Sequence, residues 1–460
     1  MDSEELIVAE NKKKSADMTQ GSEWKLILFF TLPLMAGNVL QQLYNTVDGI
    51  IVGNFVGENA LASVGTCASL TMLFIALAIG MSNGAAVVVA QYFGAKRMDD
   101  LKKAVATALI LFLGMGLVFS IAAALLAHPL LKNVLGVQDY LLDGAVLYFT
   151  IYAIGLIFQF LYNIVAAILR SMGDSRATLI FLLISSACNI GLDFLMVVGF
   201  QWGIAGVAIA TILSQALSAV VSIWYMFHFY PELRMTRGEF RFDGATGAVI
   251  IRMGIPSTLQ QCVVSFSHMA IQRVINTFDI TAGYTAAARI ECFAIIPAQG
   301  FFMGMATFTG QNLGAGRLDR ISRAVRSNLI MGLFVDAIVI AIIVPLAPVL
   351  VGLFGVVGAS AGVAVRYLRF CSCALAIFTA YFCINGVLQG SGDVGFTAFN
   401  TFSGLVIKVV FIYLVAFLTP LGVAAIWYGN VVSWLYSLVL VITRYKMGKW
   451  REKGVVKAEQ

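Results

Sequence analysis

The chain reads Gly80-Met-Ser-Asn-Gly84 and then Gln91-Tyr-Phe-Gly-Ala-Lys-Arg97 in its first half. About 220 residues later it reads Gly300-Phe-Phe-Met-Gly304 and Gln311-Asn-Leu-Gly-Ala-Gly-Arg317, in the same order and with the same spacing. Two further turns recur at a similar distance: Arg170-Ser-Met-Gly-Asp174 as Gln389-Gly-Ser-Gly-Asp393, and Trp202-Gly-Ile-Ala-Gly206 as Leu421-Gly-Val-Ala-Ala425. This repeat predicts two halves with the same order of helices.

The composition identifies the solvent around these halves. Apolar residues make up 60% of the 460 residues and charged residues only 12%, whereas soluble domains average roughly 45–50% and about 25%. A chain this apolar cannot cover its surface with polar groups, so lipid must cover much of it. Helices are the expected spanning form, because backbone groups in hydrocarbon need partners within their own segment and the apolar runs reach about 20 residues.

The apolar runs between charge and turn clusters predict about twelve transmembrane helices, six in each half. Their approximate cores are 25–53, 59–93, 103–128, 139–169, 177–200, 203–229, 247–275, 281–312, 325–351, 362–388, 396–418 and 422–445. Pro33 and Pro256 lie at equivalent places in the first and seventh of them. Because proline removes a helical hydrogen bond, we expect matched bends there.

Basic residues predict the orientation and the domain boundaries. They concentrate in both tails and in the even-numbered connections, as in Lys96, Arg97, Lys102, Lys103, Arg170, Arg176, Arg234, Arg237, Arg317 and Arg320. This positive-inside pattern predicts a cell-membrane protein with both termini in the cytoplasm, and it leaves no need for a nucleic-acid partner. The predicted parts are a cytoplasmic tail (1–24), an N-terminal lobe (25–229), a cytoplasmic linker (230–246), a C-terminal lobe (247–445) and a second tail (446–460).

The first predicted helix carries a recognisable run, Leu32-Pro-Leu-Met-Ala-Gly-Asn-Val-Leu-Gln-Gln-Leu-Tyr-Asn-Thr-Val-Asp48, followed by Val52-Gly53. Together with the repeated Gln-x-x-Gly-Ala-x-Arg loops and the Ser-Met-Gly-Asp turn, it resembles the multidrug and toxic compound extrusion (MATE) family, in particular its DinF-type branch. The resemblance covers roughly residues 25–445. It implies an all-α integral membrane fold with two pseudo-symmetric six-helix lobes arranged in a V.

Ionisable residues inside spans are costly and are candidates for function. Asp193 lies about nine residues before the turn at Trp202, Thr211 lies about nine residues after it, and Asp48 is similarly deep in the first helix. At roughly 1.5 Å per residue these groups can share one level. Asn189 is one helical turn from Asp193. Such oxygens suit exchange of a proton or of a hard alkali cation.

The resemblance adds roles for particular residues. It implies that Asp48, Asn189, Asp193 and Thr211 match the cation-coupling positions of the DinF-type N-terminal lobe. It also implies that Gln41 and Asn163 line the substrate cavity of that lobe, although ordinary interhelical hydrogen bonds explain both residues equally well.

The second half differs in charge. Lys408 occupies the repeat position of Asn189, and Ile412 that of Asp193. Glu291 and Asp336 are further acids within spans; a buried ion pair with Lys408 and a role in substrate binding or lobe coupling are both open. His268 lies near the repeat position of Asp48, and a hydrogen-bonded core histidine is its simplest interpretation.

We therefore expect a cation-coupled antiporter, driven by protons or sodium, that exports amphipathic or cationic organic compounds by alternating access. The alternative is a flippase for lipid-linked oligosaccharides from the same superfamily. An enzyme is not expected, because the three histidines show no metal-ligand pairing and the seven cysteines show no zinc or disulfide spacing. We expect no resident cofactor or metal, contact with membrane lipids, and a monomer.

Overall fold

All regular secondary structure is helical in the part of the chain that the structure describes, residues 17–278 and 280–456 apart from the side chains of residues 45, 58 and 265–269. The structure is a computed structural model. Its main helices are α1 (Glu23–Phe55), α2 (Glu58–Gly94), α3 (Met98–Leu125), α4 (Asp139–Ile154), α5 (Leu156–Ser171), α6 (Ser175–Asp193), α7 (Gly203–Phe229), α8 (Gly244–Thr277), α9 (Thr281–Ala294), α10 (Ile296–Gly314), α11 (Leu318–Gly352), α12 (Gly358–Cys373), α13 (Leu375–Ser391), α14 (Val394–Leu418) and α15 (Ala425–Lys446).

Length and apolarity identify these helices as membrane spans. Within the described residues, nine helical stretches can cross a membrane, and up to eleven can if each of two bent pairs forms one span. The bent pairs are α4 with α5, at 46°, and α12 with α13, at 48°. Helix α8 is as long as its neighbours but more polar, since it carries Arg252, Gln260 and Arg273. The predicted all-α membrane fold of about twelve spans is confirmed, and the protein is a multi-pass membrane protein.

The repeated glycines lie where two helices approach very closely. A Cβ atom added to Gly80 of α2 would lie 2.3 Å from the Thr258 Cα of α8, and one added to Gly84 would lie 2.4 Å from the Gly254 nitrogen. Such distances are far below van der Waals contact, so only glycine fits. The first copy of the motif thus packs against the helix that opens the second half.

The second copy of the motif makes the reciprocal contact. A Cβ atom at Gly300 of α10 would lie 2.8 Å from Thr31 Cγ2 of α1, and one at Gly304 would lie 2.7 Å from Thr31 Oγ1. The Thr31 hydroxyl also donates a hydrogen bond to the Gly300 carbonyl oxygen, at 3.3 Å. Each half therefore uses its glycine motif to pack the opening helix of the other half.

This exchange explains how the chain divides into two compact units. One unit contains residues 36–258, and the other contains residues 17–35 and 259–456 of the described chain. Helix α1 begins in the second unit and continues in the first, and α8 does the opposite. Both transitions come two or three residues after a proline, Pro33 or Pro256, that lies inside a continuous helix. The predicted lobe boundary at 230–246 stays a prediction.

Candidate functional site

Two aspartates from different helices of the first unit meet inside its helix bundle. Asp48 lies on α1 and Asp193 ends α6, and their carboxyl groups interact electrostatically with each other. Asp193 is fully buried. Two carboxylates can share a hydrogen bond only when one of them carries a proton, and otherwise they need a cation between them.

The polar atoms around this acid pair lack protein donors. Among the described residues, Asp48 Oδ1, both Asp193 oxygens and both amide atoms of Asn189 are buried and without a hydrogen-bond partner. Asn189 lies one turn before Asp193 and is 1% exposed. Buried polar groups are almost always satisfied, so this concentration of unsatisfied atoms makes the acid pair a candidate binding position.

Local backbone structure places Asp193 at the end of a regular helix. A wider π-helical turn, Phe194–Gly199, begins directly after it, and such turns are frequent at functional sites. Phe194 packs edge-on against Phe55 of α1, with ring centroids 5.9 Å apart. This contact closes α1 against the end of α6 beside the acid pair.

Thr211 lies on α7 between two contacts with the α6 segment. Ser185 Oγ of α6 donates to the Ser214 carbonyl oxygen at 3.4 Å, and a Cβ atom added to Gly206 would lie 3.2 Å from Met196, which follows α6. The Thr211 hydroxyl donates to the Val207 carbonyl oxygen of its own helix, at 3.0 Å. Its oxygen lone pairs therefore remain available to a cation.

A group of tyrosines borders the acid pair, and the sequence analysis missed it. Tyr44 of α1 interacts electrostatically with both carboxyl groups, and Tyr148 of α4 with Asp48. Tyr148 and Tyr152 stack with centroids 6.2 Å apart, and Gln215 reaches the Tyr152 hydroxyl. The helical spacing of Tyr148 and Tyr152 was the available signal, but aromatic residues are common on every face of a membrane helix.

The two residues predicted to line the substrate cavity lie on α1 and α5. Gln41 is an exposed residue of α1. Asn163 is partly buried on α5 and donates from Nδ2 to the Gln159 carbonyl oxygen of its own helix, at 2.8 Å. Their role in substrate binding stays a prediction.

The second unit contains a different polar cluster. Glu291 of α9 accepts a hydrogen bond from Tyr367 Oη of α12 at 2.6 Å, and Asn430 Nδ2 of α15 donates to the same hydroxyl at 3.0 Å. Lys408 of α14 interacts electrostatically with Glu291. Arg289, two residues before Glu291 on α9, is exposed.

The remaining candidates of the second half are Asp336 and His268. Asp336 of α11 is 2% exposed and lies beside Thr379 of α13, and its Oδ2 has no hydrogen-bond partner among the described residues. The His268 side chain lies outside the described residues. No group of three or more His, Cys, Asp or Glu side chains within the described ranges could hold a metal ion.

Three comparisons relate this architecture to known proteins. The MatE family model matches residues 33–195 and 256–414. The chain is 26% identical to the "Probable multidrug resistance protein YpnP" of Bacillus subtilis (strain 168), over 95% of this chain and 98% of that protein. It is 23% identical to the "Probable multidrug resistance protein NorM" of Thermotoga maritima, over 95% of each chain.

A solved structure shares the fold over nearly the whole chain. It is described as the outward-facing conformation of a multidrug resistance MATE family transporter, and it superposes with a TM-score of 0.88 at 25% identity, over 95% of this chain and 99% of that one. The family model covers both repeats of this sequence, including the helices that carry Asp48 and Asp193. The chain therefore belongs to the MatE family.

Proposed function

We propose that the protein is a multidrug exporter, a cation-coupled antiporter that moves amphipathic or cationic organic compounds out of the cell by alternating access. The acid pair Asp48–Asp193, assisted by Asn189 and Thr211, is the site at which a proton or a sodium ion exchanges. The names of the relatives, multidrug resistance proteins, support this substrate class and give no support to a flippase for lipid-linked oligosaccharides.

One observation carries the proposal: two carboxyl groups interact inside a helix bundle, and among the described residues neither forms an ion pair with a cation. The charged pair is unfavourable at low dielectric, since both repulsion and desolvation oppose it. A proton or sodium ion entering from outside relieves this cost. A ligand that binds one conformation more tightly shifts the protein toward that conformation.

Helix α1 supplies a physical link between ion binding and movement. Asp48 lies in the part of α1 that belongs to the first unit, whereas the start of α1 belongs to the second unit. Neutralising the acid pair changes the force that holds this part of α1 against α6. Pro33, which removes one backbone hydrogen bond of α1, supplies the point at which the helix yields.

The experiment is dye transport by purified protein in proteoliposomes, with a proton gradient and a sodium gradient imposed separately. We expect one of the gradients to drive accumulation of ethidium. Asp193→Asn is expected to reduce it to the level of protein-free vesicles, because the amide cannot exchange the ion.

Asp139→Asn is the matched control, because Asp139 lies at the start of α4 with its side chain 90% exposed. Its transport is expected to equal that of the wild type. Gradient-driven transport by Asp193→Asn at the wild-type rate would contradict the proposal.

The remaining properties complete the proposal. We place the protein in the DinF-type branch and in the cell membrane, as a lipid-embedded monomer with both termini in the cytoplasm. It needs no resident cofactor, since the coupling ion is itself transported. Gln41 and Asn163 are the proposed cavity residues of the N-terminal lobe.

A further inference from the structure

The cluster around Glu291 in the second unit is built more rigidly than an incidental charge pair requires. Tyr367 fixes the Glu291 carboxylate through its hydroxyl at 2.6 Å, and Asn430 in turn fixes that hydroxyl at 3.0 Å. Tyr284 and Trp427 pack edge-on against the Tyr367 ring, with centroids 5.5 and 6.2 Å away. Glu291 therefore has a defined orientation, which favours specific recognition over simple neutralisation.

The backbone around Lys408 is fixed just as closely. A Cβ atom at Gly429 of α15 would lie 2.5 Å from Ile412 Cγ1 and 3.5 Å from the Lys408 carbonyl oxygen. This contact holds the Lys408 turn of α14 against α15, the helix that also carries Asn430. Lys408 and Glu291 both keep accessible surface, although Tyr367, Ile412 and Asn430 are buried.

The Lys408 ammonium group is the part of the cluster whose hydrogen-bond donors are not engaged by another described residue. It interacts electrostatically with Glu291, yet among the described residues it forms no hydrogen bond and no ion pair within 4.0 Å. A buried ion pair offsets its desolvation only when the two groups meet with good geometry. A lysine kept solely to neutralise Glu291 would make that contact, since its side chain is long and flexible.

We propose that Lys408 and Glu291 form a binding site for zwitterionic compounds, in which Lys408 binds the carboxylate of the compound and Glu291 faces its cationic part. The free ammonium donors suit a carboxylate through charge-assisted hydrogen bonds. A ligand with both charges leaves the cluster neutral, as it is without ligand. This site rests on the proposed export function and names one substrate class for it.

The test compares two fluorescent dyes that differ only at the carboxylate. Rhodamine 110 is a zwitterion with a free carboxylate, and rhodamine 123 is its methyl ester, a cation. Fluorescence polarisation with the purified full-length protein measures both dissociation constants. We expect wild-type protein to bind rhodamine 110 about tenfold more tightly, the value of one charge-assisted hydrogen bond.

The variants separate recognition from structural pairing. Lys408→Met keeps the volume and is expected to abolish the preference for rhodamine 110 while rhodamine 123 affinity stays within about twofold. Lys408→Arg is expected to retain the preference. Glu291→Gln is expected to weaken the binding of both dyes to the same degree, because both carry the cationic ring system.

Two outcomes overturn the site: equal affinity of the wild type for both dyes, or a preference that survives Lys408→Met. A change of equal size in the dissociation constants of both dyes in Lys408→Met also overturns the site. Loss of the positive charge beside Glu291 would by itself produce that result. If Lys408→Met is not monodisperse in gel filtration, the wild-type preference and the Glu291→Gln result still decide.

A separate measurement keeps this inference distinct from the export function. Gradient-driven uptake of rhodamine 123 by the wild type tests transport, independently of the carboxylate. Uptake without discrimination between the dyes overturns only the zwitterion site. Discrimination in binding with no gradient-driven uptake supports the site and overturns the export proposal.

Discussion

The two halves of the molecule place different chemistry at repeat-related positions. Tyr148 on α4 and Tyr367 on α12 are related by the repeat spacing, and both are buried beside an acid. One turn of α6 carries Asn189 and Asp193, whereas the same turn of α14 carries Lys408 and Ile412. Thr211 of α7 corresponds in the same way to Asn430 of α15.

This difference shows how two copies of one helix bundle can take different roles. In the first half two acids interact with each other, and among the described residues neither is ion-paired with a cation, which is what the proposed exchange of a mobile cation requires. The second half supplies its own positive charge, Lys408, and needs none. Asp193 faces an acid where Ile412 packs against Gly429, so the second copy cannot reproduce the acid pair. The predictions below exchange features between the halves.

The largest effect is expected when the first half receives the lysine of the second. Asn189→Lys places an ammonium group one turn from Asp193, in the low dielectric of the bundle. A permanent partner removes the need for a transported ion, because opposite charges at this range interact by several kcal/mol. We expect gradient-driven dye uptake in proteoliposomes to fall about a hundredfold, as a barrier increase of about 2.7 kcal/mol produces.

Asn189→Gln serves as the control, because it keeps the amide and adds no charge. Its uptake is expected to stay within about threefold of the wild type. Near-normal uptake by Asn189→Lys, in protein that is well folded by gel filtration, would show that the acid pair is not the coupling site.

The second prediction exchanges a residue at a helix crossing. Ser171 of α5 donates to the Ala86 carbonyl oxygen of α2 at 3.0 Å. The repeat positions hold Gly390 and Ala306, where a Cβ atom would lie 2.1 Å from the Ala306 carbonyl oxygen. Gly390→Ser is therefore expected to lower the free energy of unfolding by about 3 kcal/mol through overpacking against a backbone atom.

Chemical unfolding of the purified protein in detergent checks this value. The reciprocal change, Ser171→Gly, removes a hydroxyl that lies within hydrogen-bonding distance of the Ala86 and Ala167 carbonyl oxygens and creates no clash, so a loss of about 1 kcal/mol in the free energy of unfolding is expected. Equal losses in the free energy of unfolding would contradict this prediction. They would mean that α2 and α5 pack as closely as α10 and α13, although a Cβ atom at Gly390 would clash with α10.

Much of this architecture could be predicted from the sequence, for identifiable reasons. Helical rise is fixed, so counting residues from the turn at Trp202 predicts a shared level for Asp193 and Thr211, and that level stays a prediction. The repeat spacing aligned Asn189 with Lys408 without any structure. The same spacing relates Tyr148 to Tyr367, but an aromatic residue in an apolar helix does not reveal whether it faces lipid or a site.

Other features depend on contacts that no local pattern encodes. The Gly80 and Gly300 motifs indicated close packing, but the periodicity of a helix does not name its partner, so the exchange of α1 and α8 between units was not predicted. The bends at Gly155 and Ala374 were missed because no proline marks them. For Glu291 the sequence left an ion pair with Lys408 and a role in substrate binding or lobe coupling open, and its hydrogen bond from Tyr367 was not predicted.

The third prediction concerns the conserved geometry of two turns with different partners. Asp393 accepts two hydrogen bonds from the Arg444 guanidinium group, at 2.7 and 3.1 Å. Asp174, at the repeat position, instead accepts from the hydroxyls of Tyr225 and Tyr230, at 3.1 and 2.7 Å. Asp393→Asn is expected to lower the free energy of unfolding by about 2 kcal/mol, because it leaves the largely buried guanidinium group of Arg444 without its counter-charge.

Asp174→Asn is expected to lower the free energy of unfolding by about 1 kcal/mol, because its one amide oxygen still accepts from the two tyrosine hydroxyls, whereas the bond from the Ala177 backbone nitrogen to the other oxygen is lost. Both variants are compared by chemical unfolding at low and high salt. Salt is expected to narrow the difference, since only the Asp393 contact is ionic. A larger loss for Asp174→Asn would mean that the tyrosine contacts outweigh the ion pair.

The smallest effect is expected at the start of α8, where the second half begins. Asp243 accepts hydrogen bonds from the Thr246 backbone nitrogen, at 2.8 Å, and from its hydroxyl, at 2.5 Å; its own backbone nitrogen donates to Thr107 Oγ1 of α3 at 3.0 Å. The Thr246 donors lower the pKa of Asp243 below its ordinary value of 3.8. A lowered pKa stabilises the fold at neutral pH. This contribution disappears as the pH falls through the pKa that the carboxyl group has in the folded protein. Asp243→Ala is therefore expected to lower the free energy of unfolding of the first turn of α8 by about 1 kcal/mol at pH 7, as for other helix caps.

Hydrogen exchange of the first turn of α8 at pH 7 should show the change, and the difference from the wild type should shrink in acid. A loss independent of pH would assign the effect to the chain geometry at Asp243 and not to its charge.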